Sequence, residues 1–258
     1  MESLNDIKRL LVMAILAGKI MLKNGAETYR VEDTIKRICK SRNIDFAEAF
    51  VTPTGIFLSV EYKGEVLTYI KRIKSIKFDL NKIALVNEFS RQFVNSNMSI
   101  DKGFEMLNNI DNIKTYPKSL RLIFGGFAGS FFTLLFKGSF TDFVSTFIIS
   151  SIVVLVMEFL SKKNFTFFLS NIISSSIVTI LSIISVNLGF GTNMDKIIIG
   201  SIMLLVPGVA ITNAIRDSIS GDFLSGISRG LEAIIVATAI AFGVGATLKL
   251  SFLLFGGM

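Results

Sequence analysis

The stretch FTDFVSTFIISSIVVLVMEFL, residues 140–160, decides the class of this protein. About 20 consecutive, mostly apolar residues are needed to cross the roughly 30 Å of hydrocarbon in a bilayer. This stretch is long enough, and its two acidic residues, Asp142 and Glu158, stand near its ends. It therefore predicts a membrane-spanning helix.

Further stretches of similar length and hydropathy lie on both sides of it. They predict four more spans, at 119–136, 166–187, 196–215 and 231–253. Residues 1–118 instead carry most of the charged side chains, so the two parts of the chain suit different solvents. Pro117 marks the boundary, because proline cannot continue a helix. We expect an α-helical polytopic membrane protein with about five transmembrane helices in residues 118–258, and an N-terminal α+β cytosolic domain in residues 1–117.

Helices and short strands are predicted for the N-terminal domain. Apolar residues recur at three- and four-residue steps through Leu10–Leu22, a stretch that is too short to span a bilayer and is interrupted by Lys19. This pattern indicates an amphipathic helix packed on one face, which Gly25 can end in the left-handed conformation. The rest of the domain is predicted as helices near 26–42, 79–95 and 99–113, and strands at 45–52, 56–62 and 65–71.

Basic residues beside the spans predict their orientation. They are Lys118 and Arg121 before the first span, Lys162 and Lys163 between the second and third, and Arg216 and Arg229 between the fourth and fifth. Loops on the cytosolic side carry an excess of Lys and Arg, so we expect a cytosolic N-terminus and an external C-terminus. The net charge of +7 then reflects membrane topology, and the expected partner is a lipid bilayer rather than a nucleic acid.

Several classes of chemistry are excluded by composition. The chain has no histidine, which removes histidine-dependent catalytic triads and histidine-ligated zinc sites. It has no G-x-x-x-x-G-K-[ST] phosphate loop, and Cys39 is its one cysteine, so an intramolecular disulfide is impossible. We expect no catalytic residues, no metal and no cofactor. An integral membrane enzyme that uses Asp217 and Glu232 as acid and base is the least favoured alternative.

A proline and a glycine interrupt the fourth predicted span near its middle. Pro207 lacks an amide hydrogen and clashes with the preceding turn, and Gly208 adds backbone freedom beside it. Broken helices at this depth are where many transporters bind their substrates. A simple packing kink is an equally good interpretation of the two residues alone.

A series of polar residues follows this break. It comprises Asn213, Arg216, Asp217, Asp222, Arg229 and Glu232. Charged side chains near hydrocarbon are costly and usually face a cavity or a partner. Arg216 and Arg229 could bind a substrate carboxylate, while Asp217 or Glu232 could hold an ammonium group or a coupling proton. The alternative is that these acids and bases pair with one another at the cytosolic interface.

Two sequence motifs resemble the signatures of the threonine/serine exporter family. The first is GAETYRVE at residues 25–32. The second comprises VPG at 206–208, TNAIRD at 212–217, GD at 221–222, SG at 225–226 and RGLEA at 229–233. They stand in the family's order, and the similarity covers nearly the whole chain.

This resemblance implies an exporter of the bacterial cytoplasmic membrane, driven by the proton motive force, for small hydroxy amino acids or dicarboxylates. Full-length members carry two membrane halves, so a chain with five spans resembles the split arrangement, in which a companion membrane subunit supplies the second half. Further copies of the chain could join the same assembly. Gly25, Glu27 and Arg30 are implied to serve gating or docking, although Glu27 and Arg30 could equally form a structural pair. The alternative function is a membrane scaffold or assembly protein with a cytosolic protein-binding domain.

Overall fold

A computed structural model describes residues 4–44 and 46–255 of the chain. Within them it contains ten helices and three strands. The chain divides into two compact units. The first unit comprises the chain up to Lys114 together with Val209–Leu231, and the second comprises Thr115–Gly208 and the chain from Glu232 onward.

The N-terminal part of the first unit confirms the predicted helices and strands. Its elements are α1 (Leu4–Lys23), α2 (Thr28–Lys40), β1 (Ala47–Thr52), β2 (Gly55–Tyr62), β3 (Glu65–Arg72), α3 (Leu80–Val94) and α4 (Ile100–Asn112). The strands form an antiparallel sheet in the order β1-β2-β3. Asp45, which the first predicted strand included, lies outside the described residues.

The first helix is more buried than its pattern predicts. It packs against α2, α3, α4 and the sheet, rather than on one face. Side chains around most of its circumference, including Ile7, Leu10, Met13 and Ile20, are fully buried. α1 is the central element of this hydrophobic core, and the turn that follows Lys23 leads into it, since Ala26 is fully buried there.

In the part of the chain that the structure describes, three helices are long and apolar enough to cross a membrane. They are Phe140–Lys162, Phe167–Asn187 and Phe223–Leu254, and they correspond to the second, third and fifth predicted spans. The first predicted span corresponds to α5 (Lys118–Leu135), whose 18 residues include two basic side chains in the first turn. The chain is therefore a helical membrane protein, while the total of five spans stays a prediction.

The fourth predicted span is not one continuous helix. Residues 196–215 are divided between α8 (Met194–Ile202) and α9 (Gly208–Ile219), with residues 203–207 outside either helix. Pro207 has no amide hydrogen to continue the ladder of α8, and α9 begins at the next residue. The proline thus accompanies a break in the helix rather than a bend, a choice that the sequence left open.

The last helix, α10 (Phe223–Phe255), begins eight residues before the predicted span at 231. The candidate span within it has 32 residues, which corresponds to about 48 Å at 1.5 Å per residue and exceeds the hydrocarbon thickness. Its first turns, up to Leu231, belong to the first unit. The predicted division into domains of 1–117 and 118–258 remains a prediction, since compactness does not locate a membrane.

Inside the second unit, a buried carboxylate fixes the start of α6 (Phe140–Lys162). Asp142 accepts hydrogen bonds from the backbone amides of Ser139, Thr192 and Asn193, at 2.8, 2.7 and 3.0 Å. It is fully buried. Asp142 thereby ties α6 to the loop that follows α7 (Phe167–Asn187), a role that its position near a predicted span end did not indicate.

Candidate functional site: a polar junction between two helical hairpins

The candidate site lies within the first unit, where two helical hairpins meet. The first hairpin is α1, residues 24–27 and α2. Gly25 has a φ of +94°, and the amides of Gly25 and Ala26 donate to the carbonyls of Leu22 and Met21 at 3.2 and 3.1 Å. This pair of bonds is a Schellman motif, and it confirms the predicted role of Gly25 in ending α1.

The second hairpin is α9, residues 220–222 and the first turns of α10. Gly221 has a φ of +89°, and the amides of Gly221 and Asp222 donate to the carbonyls of Ser218 and Asp217 at 3.1 and 2.9 Å. This is again a Schellman motif. The Asp222 carboxylate then caps α10 by accepting from the Ser225 amide at 3.2 Å. The cap explains why α10 starts earlier than its apolar span.

The two helices of the second hairpin approach each other closely. A Cβ at Gly226 would lie 2.1 Å from the Ser218 hydroxyl and 3.0 Å from the Ala214 carbonyl oxygen. A larger side chain would therefore force the helices apart. This contact holds the polar residues of α9 and α10 at a fixed separation.

Three side chains of the second hairpin bind the backbone of the first. The Asn213 amide donates to the Gly25 carbonyl at 2.8 Å, and Arg229 donates to the Ala26 carbonyl at 2.8 Å. The Asp217 carboxylate accepts from the Thr28 amide at 3.1 Å. Since the residue before α2, Glu27, makes no capping bond of its own, Asp217 serves as the N-cap of that helix.

A buried ion pair joins α9 to α10 in the same layer. Arg229 Nε lies 3.1 Å from Asp217 Oδ2, with side-chain exposures of 3% and 0%. The Asp222 carboxylate completes this layer by accepting from the Thr28 hydroxyl at 2.7 Å. We call this set of Asn213, Asp217, Asp222 and Arg229 the inner layer. The contacts that the inner layer makes with the first hairpin are to backbone groups or to the Thr28 hydroxyl.

An outer layer consists of side chains that bind one another. Glu27 Oε1 accepts from Arg216 at 2.6 Å, and Glu27 Oε2 accepts from Arg30 at 3.3 Å. The Glu27 side chain is 6% exposed, whereas Arg216 and Arg30 are 55% and 39% exposed. Burial opposes ionisation of Glu27, but its own backbone amide and the two guanidinium groups outweigh burial and lower its pKa.

The second hairpin is polar inside and apolar outside. Asn213, Asp217 and Arg229 are buried, while the large apolar side chains of the same helices are exposed. The exposed set comprises Ile211, Ile215, Ile219, Phe223, Leu224 and Ile227. In water this arrangement would be unfavourable, so it favours a lipid or protein environment around the hairpin.

The structure brings together most, but not all, of the predicted site residues. Asn213, Arg216, Asp217, Asp222 and Arg229 meet Gly25, Glu27 and Arg30 in this junction, where the loop of Gly25 contributes a carbonyl acceptor. The remaining three predicted residues, Pro207, Gly208 and Glu232, belong to the second unit. The Glu232 side chain is exposed there.

Two residues of the junction were not predicted as site residues. Ala26 supplies a carbonyl and Thr28 supplies both an amide and a hydroxyl. Thr28 is the first residue of α2, where the backbone amide has no partner within the helix and needs one elsewhere. This position at the start of a helix is the sequence feature that could have identified Thr28 as a site residue.

Glu32 lies one helical turn after Thr28 in α2, and its partly buried carboxyl makes the stability of the fold depend on pH. Its carboxylate accepts from the Val51 amide at 2.8 Å. Burial raises the pKa of Glu32 above its ordinary 4.5, although that bond and Lys36 partly oppose the shift. Ionised Glu32 therefore destabilises the fold as pH rises through 4.5 toward the raised value.

We expect Glu32→Gln to stabilise the protein at pH 7, since glutamine keeps the acceptor and removes the buried charge. The gain in melting temperature should vanish near pH 4, where the carboxyl is protonated in both folded and unfolded chains. Circular dichroism melts at the two pH values measure it. An equal gain at both would show that charge burial is not the cause.

Two cavities of the second unit lie away from the predicted residues. One of about 270 Å³ lies between α6 and α7 and is lined by residues such as Ile148, Leu181 and Phe190. The other, of about 340 Å³, lies between α7 and α10 and is lined by residues such as Ile180 and Leu254. Both linings are mostly apolar and offer little to a charged metabolite.

Comparison with known proteins covers both hairpins. Residues 12–251 match the family model of threonine/serine exporters (ThrE). Two curated relatives, from Klebsiella aerogenes and Escherichia coli strain K12, carry the name "Probable succinate transporter subunit YjjP". Each is 22% identical over 236 residues, which is 90% of this chain and 90% and 91% of the respective relative. No solved structure matches the chain.

Proposed function

Because this chain belongs to the threonine/serine exporter family, we propose that it is one subunit of a gradient-driven exporter of small polar metabolites. Threonine- and serine-type amino acids and dicarboxylates are the candidate substrates, the latter because both relatives are named as succinate transporter subunits. In this proposal the chain performs no covalent chemistry.

A companion membrane subunit is part of the proposal. The relatives' names describe a subunit, and this chain aligns with about nine-tenths of each of them. The exporter would lie in a bacterial cytoplasmic membrane, with the N-terminus cytosolic and the C-terminus outside, as the basic residues Lys118, Lys162 and Lys163 favour. Additional copies of the chain could take part.

The observation that carries the proposal is the polar junction at the end of an interrupted helix. Five residues outside any helix separate α8 from α9, so the predicted fourth span is interrupted at Pro207 just before the polar residues of α9. The same helix then presents Asn213, Asp217 and the half-exposed Arg216. Charged groups beside an interrupted helix of a membrane protein cost free energy. They typically mark a substrate or ion pathway.

The two layers of the junction are assigned different roles. Asn213, Asp217 and Arg229 hold the first hairpin through its backbone, so we assign them to positioning. Arg216 and Arg30 expose guanidinium groups, which bind carboxylates through paired hydrogen bonds, so we assign them to the substrate. Pro207 and Gly208 would allow the movement that opens the path, Gly25 would dock the first hairpin through its carbonyl, and Glu232 remains a candidate for the coupling proton.

The proposal is tested by efflux from cells that lack their own exporters for these compounds. Cells are loaded with labelled succinate, threonine or serine, and they express this chain alone or with each membrane protein that copurifies with it. We expect efflux of at least one compound that requires both proteins and stops when the proton gradient is dissipated. Efflux at the level of empty cells, with both proteins present in the membrane, would contradict an exporter of these compounds.

A further inference from the structure

We propose that Arg30 and Arg216 form a carboxylate-binding site that Glu27 occupies as a built-in competitor, and that a carboxylate of the transported molecule replaces Glu27 there. This inference rests on the proposed function and adds to it the atoms that first recognise the substrate.

The geometry of Glu27 is that of a bound ligand. Each of its two carboxylate oxygens accepts from a different arginine, at 2.6 Å from Arg216 and 3.3 Å from Arg30. Two guanidinium groups that converge on one carboxylate leave an excess of one positive charge among these three side chains. The site therefore suits a carboxylate, and its guanidinium groups can offer further donors to a second one.

The exposures of the three side chains show from which side a ligand can arrive. Glu27 is 6% exposed, while Arg216 and Arg30 are 55% and 39% exposed. A small anion can therefore contact the outward nitrogens of both arginines before Glu27 moves. Exchange of one carboxylate for another then proceeds without leaving either arginine without an anion.

Glu27 can leave without unfolding the junction. Its carboxylate binds the Arg30 and Arg216 side chains, besides its own backbone amide, and bridges no other backbone segment among residues 4–44 and 46–255. The inner layer, by contrast, holds the carbonyls of Gly25 and Ala26 and the amide of Thr28. Rotation of the Glu27 side chain thus opens the arginine pair while the hairpins stay joined.

The test is equilibrium binding of labelled succinate to the purified full-length chain. Wild type is compared with Glu27→Gln, which keeps the shape of the side chain and removes its charge. If Glu27 occupies the site about nine-tenths of the time, its removal lowers the apparent Kd roughly tenfold. The double variant Glu27→Gln/Arg216→Ala should lose this gain.

Controls separate the proposal from simpler explanations. Cys39, which is buried in α2, should stay unreactive toward maleimide in every variant, since a reactive thiol would indicate a loosened fold. Unchanged or weaker succinate binding by a folded Glu27→Gln variant would overturn the proposal. An equal gain for inorganic sulfate would overturn its assignment to carboxylates. Tighter succinate binding without any efflux would leave this site standing and refute the exporter.

Discussion

Replacement of Arg229 by methionine is expected to destabilise the first unit by about 3–5 kcal/mol, because it leaves the Asp217 carboxylate buried without its cation. Asp217 is fully buried and Arg229 is 3% exposed, so neither water nor a surface charge can take the place of the guanidinium group. The variant also loses the hydrogen bond to the Ala26 carbonyl. Both losses loosen the loop between α1 and α2.

The chain carries its own reporter for this experiment. Cys39 is its one cysteine, and burial raises the pKa of the thiol to about 12. It reacts with a maleimide dye only when α2 is exposed, so the rise of dye fluorescence on heating measures unfolding of this unit. We expect the Arg229→Met transition well below that of wild type.

A double variant makes the cause specific. Arg229→Met combined with Asp217→Asn removes the unpaired charge and should recover more than half of the lost stability. Equal melting temperatures for wild type and Arg229→Met would show that the pair is not needed for folding. A double variant less stable than Arg229→Met would show that the buried charge is not the cause.

Removal of Arg216 is expected to leave the stability of the first unit nearly unchanged and to reduce efflux strongly. Its side chain is more than half exposed and its hydrogen-bond partner, Glu27, keeps a second partner in Arg30. Arg216→Ala should therefore melt close to wild type in the Cys39 assay. Efflux, however, should fall at least tenfold, which corresponds to about 1.4 kcal/mol of lost substrate interaction.

Arg216→Lys is the matched control, because it keeps the positive charge and loses the planar pair of donors. We expect efflux between that of wild type and that of Arg216→Ala. Full efflux by Arg216→Ala would remove this residue from the pathway and leave it a structural partner of Glu27. Unfolding of Arg216→Ala would place it with the inner layer.

The elements of the fold were largely predictable because each is encoded locally. The periodicity of residues 56–62 differs visibly from that of α2, and Gly25 marks the end of α1 through a conformation that glycine adopts easily. The apolar length of residues 140–160 and 166–187 also sufficed for two spans. Even the polar series after Pro207 could be recognised, since charges near apolar segments are rare.

The partners of those polar residues could not be predicted from spacing. Thr28 and Asp217 are 189 positions apart, and nothing in either segment indicates that one caps the other. For the same reason Arg216 and Arg229 looked equivalent in the sequence, whereas one is half exposed and the other is buried. The break between α8 and α9 was also uncertain, because a proline can bend a membrane helix or end it.

In the proposed function, this chain and a companion together move a carboxylate-bearing metabolite across a membrane. The most direct test uses liposomes that contain both purified proteins, hold labelled succinate or threonine, and receive an imposed proton gradient. We predict release that requires the gradient and both proteins and is lost with Arg216→Ala. Release of both compounds no faster than from protein-free liposomes, from preparations in which Cys39 is protected, would contradict it.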